Sequence, residues 1–413
     1  MRIKTMKFKV AMAVIAVIII AVVLKAIGES DLITIEDTVS RAPQRTTQYS
    51  YSPPAPSGGS TAGYSIPAVT ASEGSPYKYY YFHLSETEKK AYDNIIEKIY
   101  DMPERVRIPS LKQDELNNMF EALLYDNPDL FFVSTKCTQI SVGSLAYMSM
   151  EYRMSKAEYK AGLSKINAVC EKLASSLTAP RDEWQTELEI HNALVDMLEY
   201  KFSLEPNDYA TVYGALVNGE ASCEGYSKAV KYIFDRLGIE SYVVAGRATD
   251  SEGTSEAHMW NIVKINGVYC QLDVTWDDPV KSDYRTYAYF NLTDEQINYD
   301  HGSWHFDYDC TSVSQSYYVV NGLYYTSYSE ADNDNLAKAV AKQVDGGADV
   351  FEIRFSSPSA YNAARRTLID GQNIYDVLYK AKKQGSVRNY SHTSLTYAES
   401  GNTYIMTFFL NFE

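Results

Sequence analysis

One cysteine, one histidine and one aspartate in the middle of the chain have the types and spacing to act together on an acyl group. Cys223 stands at the predicted start of a helix, and His258 and Asp273 lie on the two arms of a predicted hairpin. A thiolate beside an imidazole is a nucleophile with its own general base, and a carboxylate behind the imidazole orients it. These residues predict thiol chemistry at a carbonyl carbon.

The helix that carries the cysteine is predicted to run from Ser222 to Gly238. Its apolar residues recur with the three- and four-residue spacing of one buried face, at Tyr226, Ala229, Val230, Ile233, Phe234 and Leu237. Ser222 suits the N-cap, and Gly238 suits the C-terminal end because glycine adopts a positive φ without strain. Cys223 then falls in the first turn, where free backbone N–H groups and the helix dipole favour a thiolate.

Three strands are predicted after this helix, over residues 242–246, 257–265 and 268–275. The last two are separated by Asn266-Gly267, which is a strong signal for a two-residue hairpin loop. The chain therefore predicts an antiparallel sheet that follows the cysteine helix directly.

The hairpin loop also sets a register for the two strands. It pairs His258 with Thr275 and Asp273 with Trp260, so His258 and Asp273 become diagonal neighbours on one face, about 7–8 Å apart. The opposite face is predicted to belong to the core, since it collects Met259, Val263, Cys270, Leu272 and Val274.

Three motifs surround the three residues in order: Cys-Glu-Gly-Tyr from Cys223, His-Met-Trp-Asn from His258, and Asp-Val-Thr-Trp-Asp-Asp from Asp273. Together they resemble the transglutaminase-like superfamily, specifically its bacterial surface branch, over roughly residues 187–301. The resemblance implies a papain-like α+β core, with a helix bearing the nucleophile Cys223 followed by antiparallel strands. It assigns His258 as general base and acid, Asp273 as the orienting residue, and proteins or peptides as substrates. The chemistry requires no metal or organic cofactor.

Acyl transfer also needs donors for the oxyanion that forms on the carbonyl oxygen. We expect the backbone N–H of Cys223 to serve, with Tyr213 as a second donor and Trp260 as a further residue on the substrate side. Two alternatives to an acyltransferase stay open. One is a cell-wall cysteine endopeptidase, and the other is a non-catalytic surface binding or assembly module with a residual triad.

The chain is predicted to be held at a membrane. Residues 1–27 contain an apolar run from Val10 to Leu24 behind four basic residues, which predicts a single-pass signal anchor with the bulk of the chain extracytoplasmic. A cleaved signal peptide and secretion are the alternative. Residues 28–76 are rich in Ser, Thr, Pro and Gly and predict a disordered linker.

Two further modules are predicted to flank the catalytic core at residues 179–311. Residues 77–178 have a largely helical, α+β pattern, and residues 312–413 predict a small α+β unit. In the second of these, Asn321-Gly322 predicts another hairpin, by the same logic as the first.

A second group of titratable residues follows the core motifs, at Asp300, His301, His305, Asp307 and Asp309. The two histidines have a spacing that could bind a divalent metal. Because the stretch is rich in turns and no second ligand cluster accompanies it, we expect solvated surface, with a structural role for His301.

The net charge limits the possible partners, and the cysteine count limits the possible disulfides. The formal net charge is −15, which argues against a nucleic-acid partner, since such partners are bound by basic patches. Five cysteines are an odd number. Outside the cell the other four, Cys137, Cys170, Cys270 and Cys310, could form two disulfides and leave Cys223 free.

Overall fold

The computed structural model describes residues 32–35, 75–177, 182–203, 208–278, 284–384 and 388–412. Its sheets are three of four strands and one of two, interleaved with helices, which is the predicted α+β class. No helix among the described residues is long and apolar enough to span a membrane. The predicted anchor, residues 1–27, lies outside them.

The N-terminal part contains helices α1 (Tyr79–Phe82), α2 (Glu86–Ile96), α3 (Gln113–Asp126) and α4 (Lys156–Ser176), and strands β1 (Leu32–Ile35), β2 (Val106–Ile108), β3 (Val133–Val142) and β4 (Leu145–Tyr152). The four strands form one sheet in the order β1-β3-β4-β2. Strand β1 lies inside the predicted linker and pairs antiparallel with β3. The prediction of no structure throughout 28–76 is therefore wrong at these four residues, whose Leu-Ile-Thr-Ile sequence is mostly β-branched.

The central part contains helices α5 (Glu183–Met197), α6 (Cys223–Leu237) and α7 (Asp294–Ile297), a π-helical turn (Gly214–Asn218), and strands β5 (Glu199–Tyr200), β6 (Glu220–Ala221), β7 (Ser241–Thr249), β8 (Ser255–Ile265), β9 (Val268–Leu272) and β10 (His301–Gly302). Strands β5 and β6 form a short parallel pair. The other four form an antiparallel sheet in the order β10-β7-β8-β9.

The predicted hairpin forms, but its second strand is shorter than expected. Asn266 and Gly267 both have positive φ, and Ile265 pairs with Val268 as predicted. Strand β9 ends at Leu272, so the pairs predicted for His258 and Asp273 are absent from the described ladder. The cause is local, because Asp273 accepts backbone N–H groups two and three residues on and so turns the chain out of the sheet.

Both faces of the central sheet are buried. Helix α6 packs on one face, where the five predicted core residues of the hairpin lie in the main hydrophobic cluster, Met259, Val263, Cys270, Leu272 and Val274. The other face, with Trp260 and Ile262, is covered by a second cluster that includes Tyr77 and Tyr79 from the N-terminal part. The sheet that holds the site is therefore a central layer, not an outer wall.

A buried lysine on α6 fastens the N-terminal part to this layer. The three N–H groups of the Lys231 ammonium are shared among four acceptors, which lie at these distances from Nζ: Ser75 Oγ (2.9 Å), Tyr77 O (3.0 Å), Ser241 O (3.1 Å) and Asp235 Oδ1 (3.2 Å). Its side chain is 1% exposed. Four acceptors around one ammonium compensate the cost of burying a charge.

The C-terminal part contains helices α8 (Tyr317–Val320), α9 (Asn333–Asp345), α10 (Pro358–Arg365) and α11 (Asn373–Lys383), and strands β11 (Tyr324–Tyr325), β12 (Val350–Phe355), β13 (Tyr390–Ser400) and β14 (Ile405–Phe412). The sheet order is β11-β12-β14-β13. The hairpin predicted at Asn321-Gly322 is wrong. The preceding residues form α8, Gly322 (φ 72°) follows the end of that helix, and β11 pairs in parallel with β12. A positive φ at glycine serves a helix end as well as a hairpin.

Candidate active site

Cys223 is the first residue of α6, as predicted from its N-cap and face. The side chain of Ser222 caps none of the first-turn N–H groups and instead donates to Tyr209 O (3.3 Å). Gly225 allows the backbone at Tyr209 to pack closely against the first turn of α6, since a Cβ at Gly225 would lie 2.1 Å from Tyr209 O. All five cysteines are free, and Cys223 is the one that is not buried. The two disulfides considered from the sequence are thus not formed.

His258 stands between the cysteine and a carboxylate. Its Nε2–H donates to Asp273 Oδ2 at 2.6 Å, and the Cys223 thiol is close enough to raise the pKa of the imidazole. The imidazole is 8% exposed and Asp273 is 1% exposed. The structure thus brings the three predicted residues together, with the imidazole in the middle.

Asp273 is held by four donors. Its Oδ1 accepts the backbone N–H groups of Thr275 (2.9 Å) and Trp276 (3.2 Å). Its Oδ2 accepts from His258 and from a second imidazole, that of His301, at 3.0 Å. A carboxylate with all its acceptor directions used has a fixed orientation, which in turn fixes the imidazoles.

The pKa values follow from this arrangement. Burial alone would raise the pKa of Asp273, but the two imidazoles lower it well below its usual range. Burial alone would lower the pKa of His258, but Asp273 and Cys223 outweigh it and raise that pKa to about 10. For His301 burial is likewise outweighed, by Asp273 and Asp300, so its pKa is raised. Each charged form is stabilised by its neighbour of opposite sign.

His301 is the site residue that the sequence did not predict. It lies on β10 beside β7, is 2% exposed, and places its Nδ1 2.6 Å from Asp300 Oδ1. Gly246 on β7 permits this approach, because a Cβ there would lie 2.6 Å from the Trp260 ring and 2.8 Å from Gly302 O. The signal in the sequence was the adjacent Asp300. Nothing in the local pattern indicated that a two-residue strand would reach Asp273.

The second titratable group is divided by the fold. His301 is buried in the site, whereas the side chain of His305 is 60% exposed and lies 3.7 Å from Asp307. Among the described residues, the one set close enough to hold a metal ion is His258, Asp273 and His301. Hydrogen bonds account for that set without a metal, because both imidazoles direct an N–H at the same carboxylate oxygen.

The two residues predicted on the substrate side have other contacts. Tyr213 stacks on Phe131 (5.6 Å between ring centroids, 19°) and closely approaches Gly162. The indole N–H of Trp260 donates to Gln271 Oε1 at 2.7 Å, and the ring is fully buried. Because that N–H already has an acceptor, it is not available to a substrate, and the Trp260 ring instead packs against the imidazoles of His258 and His301. A role for Tyr213 as oxyanion donor stays a prediction.

Tyr200 lies near the thiol. Strand β5 pairs with β6 just ahead of the cysteine, which sets Tyr200 opposite Ala221. Burial, then the negative charges of Cys223, Glu256 and Asp273, raise the pKa of Tyr200. The residue is nevertheless 40% exposed, and Phe202 beyond it is 65% exposed. Tyr200 is therefore a partly exposed aromatic side chain close to the thiol.

Residues 167–274 match the family model of the transglutaminase-like superfamily. The match includes Cys223, His258 and Asp273, so this part of the chain is a transglutaminase-like core, and the resemblance in its sequence is confirmed. That superfamily includes transglutaminases and cysteine proteases, which supports thiol acyl transfer or proteolysis as the class of activity.

Solved structures give a fainter likeness. One described as a TGase is 13% identical with a TM-score of 0.26, over 45% of this chain and 54% of that protein. A "putative cysteine protease" from Cytophaga hutchinsonii is 11% identical with a TM-score of 0.23, over 34% of this chain and 61% of that protein. The chain thus spans less than two thirds of either, and scores this low support no conclusion about activity. No curated protein matches the chain.

Proposed function

We propose that the protein is a membrane-tethered, extracytoplasmic thiol acyl-transfer enzyme that acts on amides of proteins or peptides. The observation that carries the proposal is the position of His258, hydrogen-bonded to Asp273 at 2.6 Å and close to the Cys223 thiol. Thiol nucleophiles need this order of thiol, imidazole and orienting acceptor.

In the first step the Cys223 thiolate attacks the carbonyl carbon of the amide. The negative charge that develops on the carbonyl oxygen is stabilised by the N–H groups of the first turn of α6, which Ser222 leaves without a side-chain cap. The His258 imidazolium gives its proton to the leaving nitrogen, the C–N bond breaks, and a thioester remains on Cys223. Asp273 stabilises the imidazolium and keeps its ring in place.

In the second step the thioester is released. A primary amine attacks the thioester carbon and gives a new amide, or water attacks and gives a carboxylic acid. His258, now neutral, takes a proton from the attacking group, and the thiolate leaves. The two fates differ only in the acceptor, so the same three residues serve crosslinking and hydrolysis.

The exposed aromatic ring of Tyr200, near the thiol, supports a peptide as the acyl donor. Lys201 extends the β5 pairing by donating its N–H to Ala221 O at 2.8 Å, so Tyr200 and Phe202 lie on the same side of an extended chain. Exposed aromatic side chains beside a nucleophile are suited to hold apolar side chains of a bound peptide. Tethering rests on the sequence of residues 1–27 alone.

The first test is the pH dependence of Cys223 alkylation in the full chain. We expect rapid labelling by iodoacetamide near neutral pH, and labelling as slow as that of a free thiol in His258→Ala. His305→Ala is the matched control, because His305 is exposed and lies outside the site. A Cys223→Ser variant gives the background from the four buried cysteines. A wild-type thiol that labels like free cysteine and ignores His258→Ala would overturn the proposal.

The second test identifies the acceptor. A glutamine-containing peptide is incubated with and without a primary amine, and products are separated by mass. Amine incorporation that needs Cys223 indicates transamidation, whereas deamidation or chain cleavage alone indicates hydrolysis. Release of fragments from purified peptidoglycan in place of these products would favour the cell-wall endopeptidase. An intact biological phenotype in Cys223→Ala would favour a binding module.

A further inference from the structure

Both ring nitrogens of His301 face carboxylates. Nε2 lies 3.0 Å from Asp273 Oδ2, and Nδ1 lies 2.6 Å from Asp300 Oδ1. The hydroxyl of Tyr289 donates to the other oxygen of Asp300 at 2.6 Å. The imidazole is thus enclosed between two acids, both of them oriented by further hydrogen bonds.

This arrangement determines the protonation state of His301. A neutral imidazole carries one N–H, and its other nitrogen is an acceptor. Carboxylates are acceptors as well, so a neutral ring would set a lone pair against one of the two acids. Both contacts are satisfied when both nitrogens carry protons, and the ring is then a cation between two anions.

Few other titratable groups surround this cation in the part of the chain that the structure describes. His258 is the nearest, with 5.3 Å between the two ring centroids, and Tyr289 packs at 5.5 Å. Asp277 lies beyond them, beside Asp273 and Tyr289. The other rings in contact with it are the uncharged indoles of Trp260 (5.0 Å) and Trp276 (4.6 Å), and on β7 the charged residue Arg247 pairs with the next residue, Gly302. The environment of His258 adds Cys223 on its far side.

Asp273 Oδ2 therefore serves two imidazoles at once. A carboxylate that also neutralises a permanent cation stabilises a second imidazolium less than a solitary carboxylate does. The proton on His258 is consequently easier to release than a two-residue His–Asp pair would allow. A general acid that holds its proton too tightly would slow the step in which the proton passes to the leaving nitrogen.

We propose that His301 is a permanently protonated positioning residue, which fixes Asp273 and shares its negative charge so that His258 can act as the acid. The proposal rests on the proposed function, since it assigns His301 a part in that reaction. It also makes the acid–base unit of this site four residues, Asp300–His301–Asp273–His258, in place of two.

The protonation of His301 is tested without any reaction. The full chain is labelled with ¹⁵N-histidine in the Cys223→Ala background, and the His301 signals are assigned by their loss in His301→Gln. We expect both ring nitrogens of His301 to remain protonated from pH 6 to pH 9. A ring with one unprotonated nitrogen at neutral pH would overturn the proposal, whatever the reactivity of Cys223.

The charge-sharing is tested by the pH profile of Cys223 alkylation in His301→Gln, with His305→Gln as the control. The glutamine amide can still donate to Asp273 but carries no charge. The alkaline inflection of the profile reports the loss of the proton from His258. Loss of a unit positive charge about 5 Å away should make that proton harder to remove and move the inflection upward by about one pH unit or more. His305→Gln should leave the inflection unchanged.

The outcomes separate the two proposals. A wild-type thiol with no activation contradicts the proposed function, while the ¹⁵N spectra still decide the state of His301. An activated thiol whose inflection does not move in His301→Gln contradicts the charge-sharing alone. Should His301→Gln fail to fold, the ¹⁵N spectra of the unsubstituted histidine remain the test, with assignment by elimination of the other five histidines.

Discussion

Two buried aspartates in the central part of the molecule, Asp273 and Asp277, each pair with a buried histidine, and their pKa values move in opposite directions. His258 meets Asp273 at 2.6 Å, and His191 on α5 meets Asp277 at 3.1 Å. All four side chains are nearly inaccessible to solvent. Nevertheless the pKa of Asp273 is lowered, whereas burial, only partly offset by His191, raises the pKa of Asp277 to about 6.

The difference lies in the number of donors that each carboxylate receives. Asp273 accepts from two imidazoles and two backbone N–H groups. Asp277 accepts from one imidazole and from the N–H of Tyr289 (2.8 Å), and the negative charge of Asp273 opposes its ionisation. Burial and pairing with one imidazole are therefore insufficient to predict the direction in which the pKa of a carboxylate shifts. The second imidazole adds to the stabilisation that His258 gives the Asp273 carboxylate, and Asp277 has no such second imidazole among its hydrogen-bond donors in the described part of the chain.

The largest expected effect comes from Asp273→Asn. The amide would turn an N–H toward two imidazole donors, so the free energy of unfolding at pH 7 should fall by about 3–5 kcal/mol, the usual cost of breaking a buried pair. Urea denaturation measures it. Alkylation of Cys223 at neutral pH should slow in the same variant, and unchanged stability together with unchanged labelling would contradict the role given to Asp273.

Acid should remove the stabilisation that the ionised Asp273 gives the wild type. A lowered folded-state pKa stabilises the protein above the unfolded value of about 4, and that contribution is lost as the pH falls below it. The stability difference between wild type and Asp273→Asn should therefore shrink below pH 4. A difference that stays constant down to pH 3 would argue that Asp273 is not the titrating group.

Asp277→Asn should give a smaller effect with the opposite dependence on pH. The pKa of Asp277 is raised to about 6, so the wild type is most stable, relative to this variant, below about pH 4 and loses that advantage as the pH rises through 6. The change between pH 4 and pH 8 should be roughly 2 kcal/mol. Denaturation at a series of pH values measures it, and labelling of Cys223 should stay as in the wild type.

The smallest effect is expected for an exposed pair near the same region. Arg285 binds Asp196 through two nitrogens, at 2.7 and 2.5 Å, but the two side chains are 42% and 53% exposed. Asp196→Asn should lower the free energy of unfolding by about 0.5 kcal/mol. High salt should remove most of that difference because it screens exposed charges. A loss as large as that of Asp273→Asn would undo the distinction between buried and exposed pairs.

The parts of the site that local patterns specify could be predicted from the sequence. The N-cap and apolar face of α6 placed Cys223, and Asn266-Gly267 placed the strand of His258 in its observed register. Asp273 was predicted beside His258, but the prediction used strand pairing through Asp273, and the observed pairing ends at Leu272, one residue before it. The sequence did not predict that the Asp273 carboxylate would accept the backbone N–H of Thr275, a local hydrogen bond that competes with strand pairing.

Features that depend on distant contacts could not be predicted. His301 reaches Asp273 through a two-residue strand, too short for any periodic pattern to mark. Asn321-Gly322 carried a pattern that two structures satisfy, and packing selected the helix end. The strand at Leu32–Ile35 finds its partner in β3, about a hundred residues later in the sequence.

The lysine on α6 has a mechanical consequence. Ser75 and Tyr77, the first residues of the N-terminal segment on the central layer, are fastened by Lys231 to the helix that begins with Cys223. Tension applied to the chain ahead of Ser75 is thus carried into the middle of α6 by hydrogen bonds to a single ammonium. A load that reaches Ser75 while a substrate is held on Cys223 therefore acts across the first half of α6.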